Sequence, residues 1–336
     1  MKNLIIYFLL CTSTLFAQTK DELLILMNDH GKINLVPMYG GDSINKTDEL
    51  IVLDRKFVED QIKQFGNKDS ACKMHNMTAW KCFYEGDIKM AMRRFNQAWL
   101  LDTNNASEYF GFSAVLEVIK DNPDNYFETQ ALKIKNVDDP KKYYQIGIQK
   151  DKDNINEIFS LKFSSTGFET YNKLDLAMNA SNRLNELTPK DTFALLQRGH
   201  LHILKKDWEK AITDFELAIQ NGGKNANLFN DLGYSYQEKG DYENAFKFYE
   251  KSFKTSPTFL NPIYNDCLLR LKLGQYESAL EYIDKCIAIK NDVGEFHKTK
   301  GEILIKLNKK EEGIICLRQA KKLGDKDAAQ IIKANK

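Results

Sequence analysis

Small and large apolar positions alternate in a fixed order along residues 192–327, and the order repeats every 34 residues. Four blocks, beginning at Thr192, Ala226, Leu260 and Gly294, align with no insertion or deletion between them. Position 8 is Gly199, Gly233, Cys267 and Gly301; position 20 is Ala211, Ala245, Ala279 and Gly313; position 27 is Ala218, Ser252, Cys286 and Ala320. All of these are small, whereas position 24 carries Phe215, Tyr249, Ile283 and Leu317. The intervening apolar residues recur about every 3.6 positions, so each block predicts two helices. Turns fall at Lys206-Asp207-Trp208, Gly240-Asp241-Tyr242 and Gly274-Gln275-Tyr276. Packed helices stand about 8 to 10 Å apart, and small side chains at their crossing points permit the closest approach. The larger residues fill the space that the small ones leave.

The block from Ala226 carries Phe229, Leu232-Gly233, Tyr236, Gly240-Asp241-Tyr242, Ala245, Tyr249 and Pro257. In these residues and in its period the chain resembles the tetratricopeptide repeat. The resemblance implies an all-α fold, an α-solenoid in which helix-turn-helix pairs stack into a right-handed superhelix. It also implies that the first helix of each pair lines a concave groove, with positions 2, 5, 9, 12 and 13 facing a ligand.

Outside the four clear blocks the pattern decays. One period back from Thr192, the stretch 158–191 keeps Ser165, Ala177 and Pro189 at positions 8, 20 and 32. Gly86-Asp87, Ala91, Phe95 and Ala98 restate the turn and second helix in a block from Cys72, and Ala106 to Ile119 predicts a further helix, so 72–136 is read as degenerate repeats. Cys72 and Thr192 are not separated by a whole number of periods. An insertion is therefore placed at 137–157, where Pro140 disfavours helix in the residue before it. Residues 18–71 do not fit the period. Val36-Pro37 and Gly40-Gly41 break them, while Leu50, Leu53, Phe57 and Ile62 predict a helix that Thr47 would cap. This is too short for a catalytic domain and is expected to cover the apolar edge of the first repeat. After Gly324, residues 328–336 with Ala328, Ala329, Ile331 and Ile332 predict the end of a capping helix.

Residues 1–17 read as a secretory signal: Lys2, an apolar stretch from Leu4 to Phe16, then Ala17 as the cleavage site. The apolar run is short of the ~20 residues that span a membrane, and no later window is long enough, so the mature chain is expected to have no transmembrane segment and to be periplasmic or secreted. With 48 basic and 47 acidic residues, and seven arginines among the basic ones, the chain lacks the clustered positive excess that nucleic acid demands. Five cysteines remain beyond the signal, an odd number without metal-ligand spacing, so neither a disulfide framework nor a zinc site is expected. His200 and His202, two apart on a predicted helix, point to different faces. No phosphate loop or nucleophile elbow occurs, and neither a cofactor nor catalysis is expected. An enzyme would need a polar constellation in 137–157 that the sequence does not display.

The groove positions implied by the resemblance grade from apolar in the first clear block, through Asn and Tyr, to charged. Asn227, Asn230 and Asn261 each carry a donor and an acceptor that could bond an extended backbone irrespective of its sequence. Tyr234 and Tyr264 offer amphipathic contact area, Leu268 an apolar one, and Lys298 a charge. These seven residues are the candidate site for a protein or extended peptide. The family's clamp for a C-terminal carboxylate needs Asn at position 6 and Lys at position 2; here Asp231 and Thr299 flank Asn265, and Asn261 and Glu295 replace the lysine. Recognition of that kind is not expected. The sequence leaves a second function open, an envelope assembly factor working through the convex face or the segment 18–71.

Overall fold

The computed structural model of the chain describes residues 48–120 and 139–335, which divide into two units, one ending at Leu187 and one beginning at Thr188. Among the described residues there are sixteen helices and no strand. The signal-like residues 1–17, the break at 36–41 and Thr47 lie outside them.

Unit 2 consists of α8 (Thr192–Leu204), α9 (Trp208–Gln220), α10 (Ala226–Lys239), α11 (Tyr242–Thr255), α12 (Leu260–Lys272), α13 (Tyr276–Ile289), α14 (Gly294–Lys306), α15 (Lys310–Lys322) and α16 (Ala328–Ala334). Each of the four pairs closes on the lock foreshadowed by its sequence. A Cβ added at Gly199 would stand 2.5 Å from the Phe215 ring, at Gly233 2.8 Å from Tyr249, and at Gly301 2.8 Å from Leu317. Position 8 must be small because the position-24 side chain lies on it. In the third pair Cys267 takes that place, its thiol donating to the Ala279 carbonyl at 3.3 Å. Burial pushes the Cys267 and Cys286 thiols up to about 12, so both serve as compact apolar groups. All extensive helix packing in unit 2 joins helices of the same or the adjacent pair. At its end α16 lays Ala328, Ile331 and Ile332 on Leu317 and Ala320, which would otherwise face water.

The turn inside each pair has its own period. A residue in the left-handed region recurs at Asn172, Lys206, Gly240, Gly274 and Asn308, each 34 residues after the last. The residue after it stands immediately before the second helix. Asp207 and Asp241 accept from the backbone N–H of Lys210 and Asn244, as Asp87 does from Met90 after left-handed Gly86. The Gly-Asp pairs of the sequence thus encode two separate acts, a reversal of the chain and a cap.

Unit 1 holds α1 (Asp48–Phe65), α2 (Lys68–Glu85), α3 (Ile88–Leu101), α4 (Ala106–Ile119), α5 (Pro140–Lys150), α6 (Ile155–Thr170) and α7 (Leu174–Leu187). Helix α1 covers the first pair with Phe57, Val58 and Phe65 against Ala71, Cys72, Ala98 and Leu101. The first pair begins at Lys68, where Asn67 accepts from the Ser70 N–H, four residues before the boundary at Cys72 read from the sequence. The stretch 137–157, read as an insertion, contains α5, which packs along α4 as its second helix. Pro140 occupies the first turn and the Asp139 carboxylate caps the helix from the Lys141 N–H. A proline there loses no hydrogen bond and its fixed φ suits a helix, so Asp139-Pro140 starts a helix instead of interrupting one. The extra length falls between Ile119 and Pro140, where 121–138 lie outside the described residues.

Helix packing in unit 1 is not confined to neighbours. Helix α6 lies against both α4 and α2, the latter two pairs earlier in the chain. The Phe83 ring of α2 sits where a Cβ on Gly167 would be, 2.5 Å away, and stands edge-on to Phe168 at 5.6 Å. Trp80, fully buried, meets Phe83 and Phe95 edge-on at 5.8 and 5.1 Å and stacks on Phe163 at 6.2 Å. Helix α4 is buried on nearly every side, and its residues from Tyr109 to Ile119 are apolar apart from Ser113 and Glu117.

Candidate functional site

The seven residues singled out in the sequence separate into two sets. Asn227 and Asn261, at position 2, are exposed at the start of α10 and α12. Leu268 is 39% exposed, a high value for a leucine in a packed helix, and Tyr234 is half-buried with its ring edge-on to Trp208 at 6.0 Å. Partial burial raises the Tyr234 hydroxyl above its ordinary pKa, so it stays a neutral donor and acceptor.

Position 5 does something else. Asn230 is only 8% exposed; its amide donates to Asp231 and its carbonyl accepts from Asn265 of the next pair at 3.1 Å. Tyr264 repeats the arrangement one period later, its hydroxyl 3.0 Å from that of Thr299 and its ring 5.0 Å from Phe296. In the last pair Lys298 reaches Asp325 at 3.6 Å and Asp327 at 3.8 Å in the segment leading to α16. Asn230 and Tyr264 are therefore ties from one pair to the next, a ladder of position 5 to position 6 that no reading of single blocks reveals, and Lys298 ties the last pair to the segment before α16. What remains open on this face is Asn227, Asn261, Tyr234 and Leu268, with Phe193 and Leu204 of α8 also exposed. The face is mixed apolar and amide, without a concentrated charge.

Two ion pairs are built into unit 2 as well. Arg198 grips Asp214 at 2.8 and 2.5 Å, and Arg270, between the rings of Phe246 and Tyr282, holds Asp266 at 2.5 Å. Burial nevertheless raises Asp266 to about 6. The first pair joins α8 to α9, and the second lies within α12, where Arg270 packs on a ring from each neighbouring helix, Phe246 of α11 and Tyr282 of α13. Among the described residues no cluster of His, Cys, Asp and Glu could hold a metal, no helix is long and apolar enough to cross a membrane, and the five cysteines are free.

Comparison with known proteins agrees with this geometry. Residues 238–320 match the family model described as anaphase-promoting complex, cyclosome, subunit 3. The superkiller complex protein 3 of Mus musculus is 26% identical over 120 residues, 34% of this chain and 8% of that protein. Tetratricopeptide repeat protein 37 of Xenopus laevis is 25% identical over 109 residues, 32% of this chain and 7% of that protein. The chain is a tetratricopeptide-repeat protein.

This tetratricopeptide-repeat chain also aligns with the peroxisomal targeting signal receptor of Saccharomyces cerevisiae, 24% identical over 243 residues, 63% of this chain and 38% of that protein. It thus spans less than two fifths of the length of each of these relatives. Among solved structures, MamA matches with a TM-score of 0.47 at 16% identity, covering 52% of this chain and 94% of that one. YrrB, described as a TPR protein with an unusual peptide-binding site, matches with a TM-score of 0.48 at 18% identity, covering 56% and 97%.

Unit 1 contains the constellation that the sequence did not display. Glu157, fully buried at the start of α6, accepts from Arg183 Nε at 2.9 Å and Nη2 at 3.3 Å and from the Tyr144 hydroxyl at 2.5 Å. Burial, then the bond to Glu157, raises Tyr144 far above its ordinary range, and the bond to Glu157 does the same for Arg183. Both stay protonated. Both oxygens of the carboxylate are thereby bonded and its charge is compensated by Arg183. Three separate helices supply the three side chains, and the only sequence signal was an acid and an arginine on otherwise apolar helix faces.

Proposed function

We propose that this protein is a non-catalytic scaffold that holds a protein or extended peptide along the first-helix face of unit 2, in the periplasm or outside the cell. The observation that carries the reading is the open strip of Asn227, Tyr234, Asn261 and Leu268 beside the position-5 ladder. Amides there bond a backbone without reading its sequence, and the leucine and tyrosine add apolar contact. The peroxisomal targeting signal receptor is by its name a receptor, which fits binding better than catalysis. The compartment rests on the leader pattern of residues 1–17.

The test is site-specific photo-cross-linking in the native envelope. A photoreactive residue at Leu268 or Asn261 is expected to yield one discrete adduct, and one at exposed Lys254 of α11 none. Equal labelling from both faces, or from Lys254 alone, overturns the groove and favours the other helix face. Fractionation with a reporter fused after residue 17 tests the compartment separately, and a cytoplasmic reporter refutes it.

A further inference from the structure

A cavity of about 310 Å³ opens inside unit 1, between α2, α4, α5, α6 and α7. Its walls are mostly apolar, with Trp80, Phe110, Leu161, Phe168 and Leu176, and Gln145 and Asn179 stand at its exposed rim. Small residues of α4 and α6, among them Ser113, Ala114, Ser160 and Ser164, create the room. Two features of the lining bear on what it could hold. Ser113 is 7% exposed, faces the cavity, and has no hydrogen-bond partner among the described residues. Its hydroxyl is free to donate to an acceptor placed in the cavity. The second feature is charge. Both acids in the lining are neutralised, Glu157 by Arg183 and Glu117 by Lys120, whereas the Lys141 ammonium at the rim has no ion-pair partner among the described residues.

We propose that this cavity binds a small apolar monocarboxylic acid. The apolar body lies against Trp80 and Phe168, and the carboxylate accepts from Ser113 and compensates Lys141. The volume stands at the lower end of the range for ligand pockets, about 300–1,000 Å³, which limits the ligand to a single ring or a short branched chain. The charge of Glu157 is already compensated by Arg183, and both of its oxygens accept bonds from Arg183 or Tyr144. The same chemistry, an apolar group next to a carboxylate, is carried by a free acid and by the apolar end of a peptide chain. The cavity belongs to unit 1 alone and is independent of the groove reading for unit 2.

Isothermal titration of the full chain with 3-phenylpropionate, its amide and the tripeptide Gly-Gly-Phe tests the proposal. The acid is expected to bind saturably and at least tenfold more tightly than the amide. Lys141→Glu, at an exposed position, is expected to bring the acid down to the level of the amide with the far-ultraviolet spectrum unchanged, and Ser113→Leu to abolish binding by filling the cavity. A tripeptide that binds as tightly as the acid identifies a chain end as the source, and one at least tenfold weaker identifies the free acid. Acid and amide binding alike, no saturable binding by either, or acid binding untouched by Lys141→Glu would overturn the proposal, and this last arm stands even if Ser113→Leu fails to fold.

Discussion

The two units are built from the same hairpin of helices, yet they solve the problem of burial differently. In unit 2 each pair leans only on its neighbours, through a lock of position 8 under position 24 and a ladder of position 5 to position 6. Such an array leaves one face of every first helix free. In unit 1 the sixth helix returns to the second, Gly167 admits Phe83, and α4 is enclosed. Closure removes the free face and creates an interior instead, one wide enough to hold a cavity. Regularity leaves an open face, and its loss leaves a cavity.

The largest effect expected from breaking this contrast is at Trp80. Trp80→Ala empties the centre of unit 1 and should cost about 3–5 kcal/mol in denaturant unfolding. A loss below ~1 kcal/mol would mean that α2 and α6 are not held together by that cluster.

The next effect is one of pH. Burial raises the Glu108 carboxyl to about 8, against the bonds it accepts from Cys72 and Asn76, and burial lowers His75 to about 4, aided by Arg94. Glu108 keeps its proton in the folded chain between about 4.5 and 8 while the unfolded chain loses it, so its contribution falls as pH rises through that window. His75 acts oppositely between about 4 and 6.5, where only the unfolded chain binds the proton. The two cancel up to about pH 6.5. From there to about 8 the stability of unit 1 should fall by about 1.4 kcal/mol per pH unit. Glu108→Gln should flatten that decline and leave a rise from pH 4 to 6.5, as measured by urea midpoints across the range. A decline that persists in the variant assigns it to another group.

A smaller effect sharpens the account of unit 2. Lys206 bears a side chain at the left-handed position where the next two pairs have glycine. Lys206→Gly should stabilise the chain by about 0.5–1 kcal/mol and Gly240→Ala should destabilise it by a similar amount, both readable as shifts in Tm. Opposite signs would show that the turn period is set by side-chain contacts and not by backbone conformation.

Unit 2 was legible in the sequence because one physical requirement, small under large, recurs at a fixed interval in Gly199, Gly233, Cys267 and Gly301. The turn residues were legible as punctuation, although Lys206 and Asn308 show that the left-handed position is not always glycine. The ladder was hidden, since Asn230 and Asn265 stand 35 residues apart and either alone reads as a solvated amide. Four of the seven candidate residues keep an open surface for that reason, and the other three hold the stack together. Unit 1 was misread at Pro140, where a residue that forbids helix before it was taken as a break when it opens α5. Its closure had a signal that block alignment discards: α4 is apolar over most of its circumference, with Glu117 as its one partly exposed residue. The cluster of Tyr144, Glu157 and Arg183 required three helices to be placed first.

The contrast itself is tested most directly by amide hydrogen exchange on the full chain carrying Phe83→Ala, set beside the chain carrying Phe215→Ala. Loss of Phe83 is predicted to quicken exchange in residues 155–170, two helix pairs further along, as much as in its own pair, whereas loss of Phe215 is predicted to quicken exchange from α8 through α10 and leave α12 to α15 at their former rates. Exchange after Phe83→Ala confined to residues 68–119, or a disturbance from Phe215→Ala that runs to α15, would contradict it.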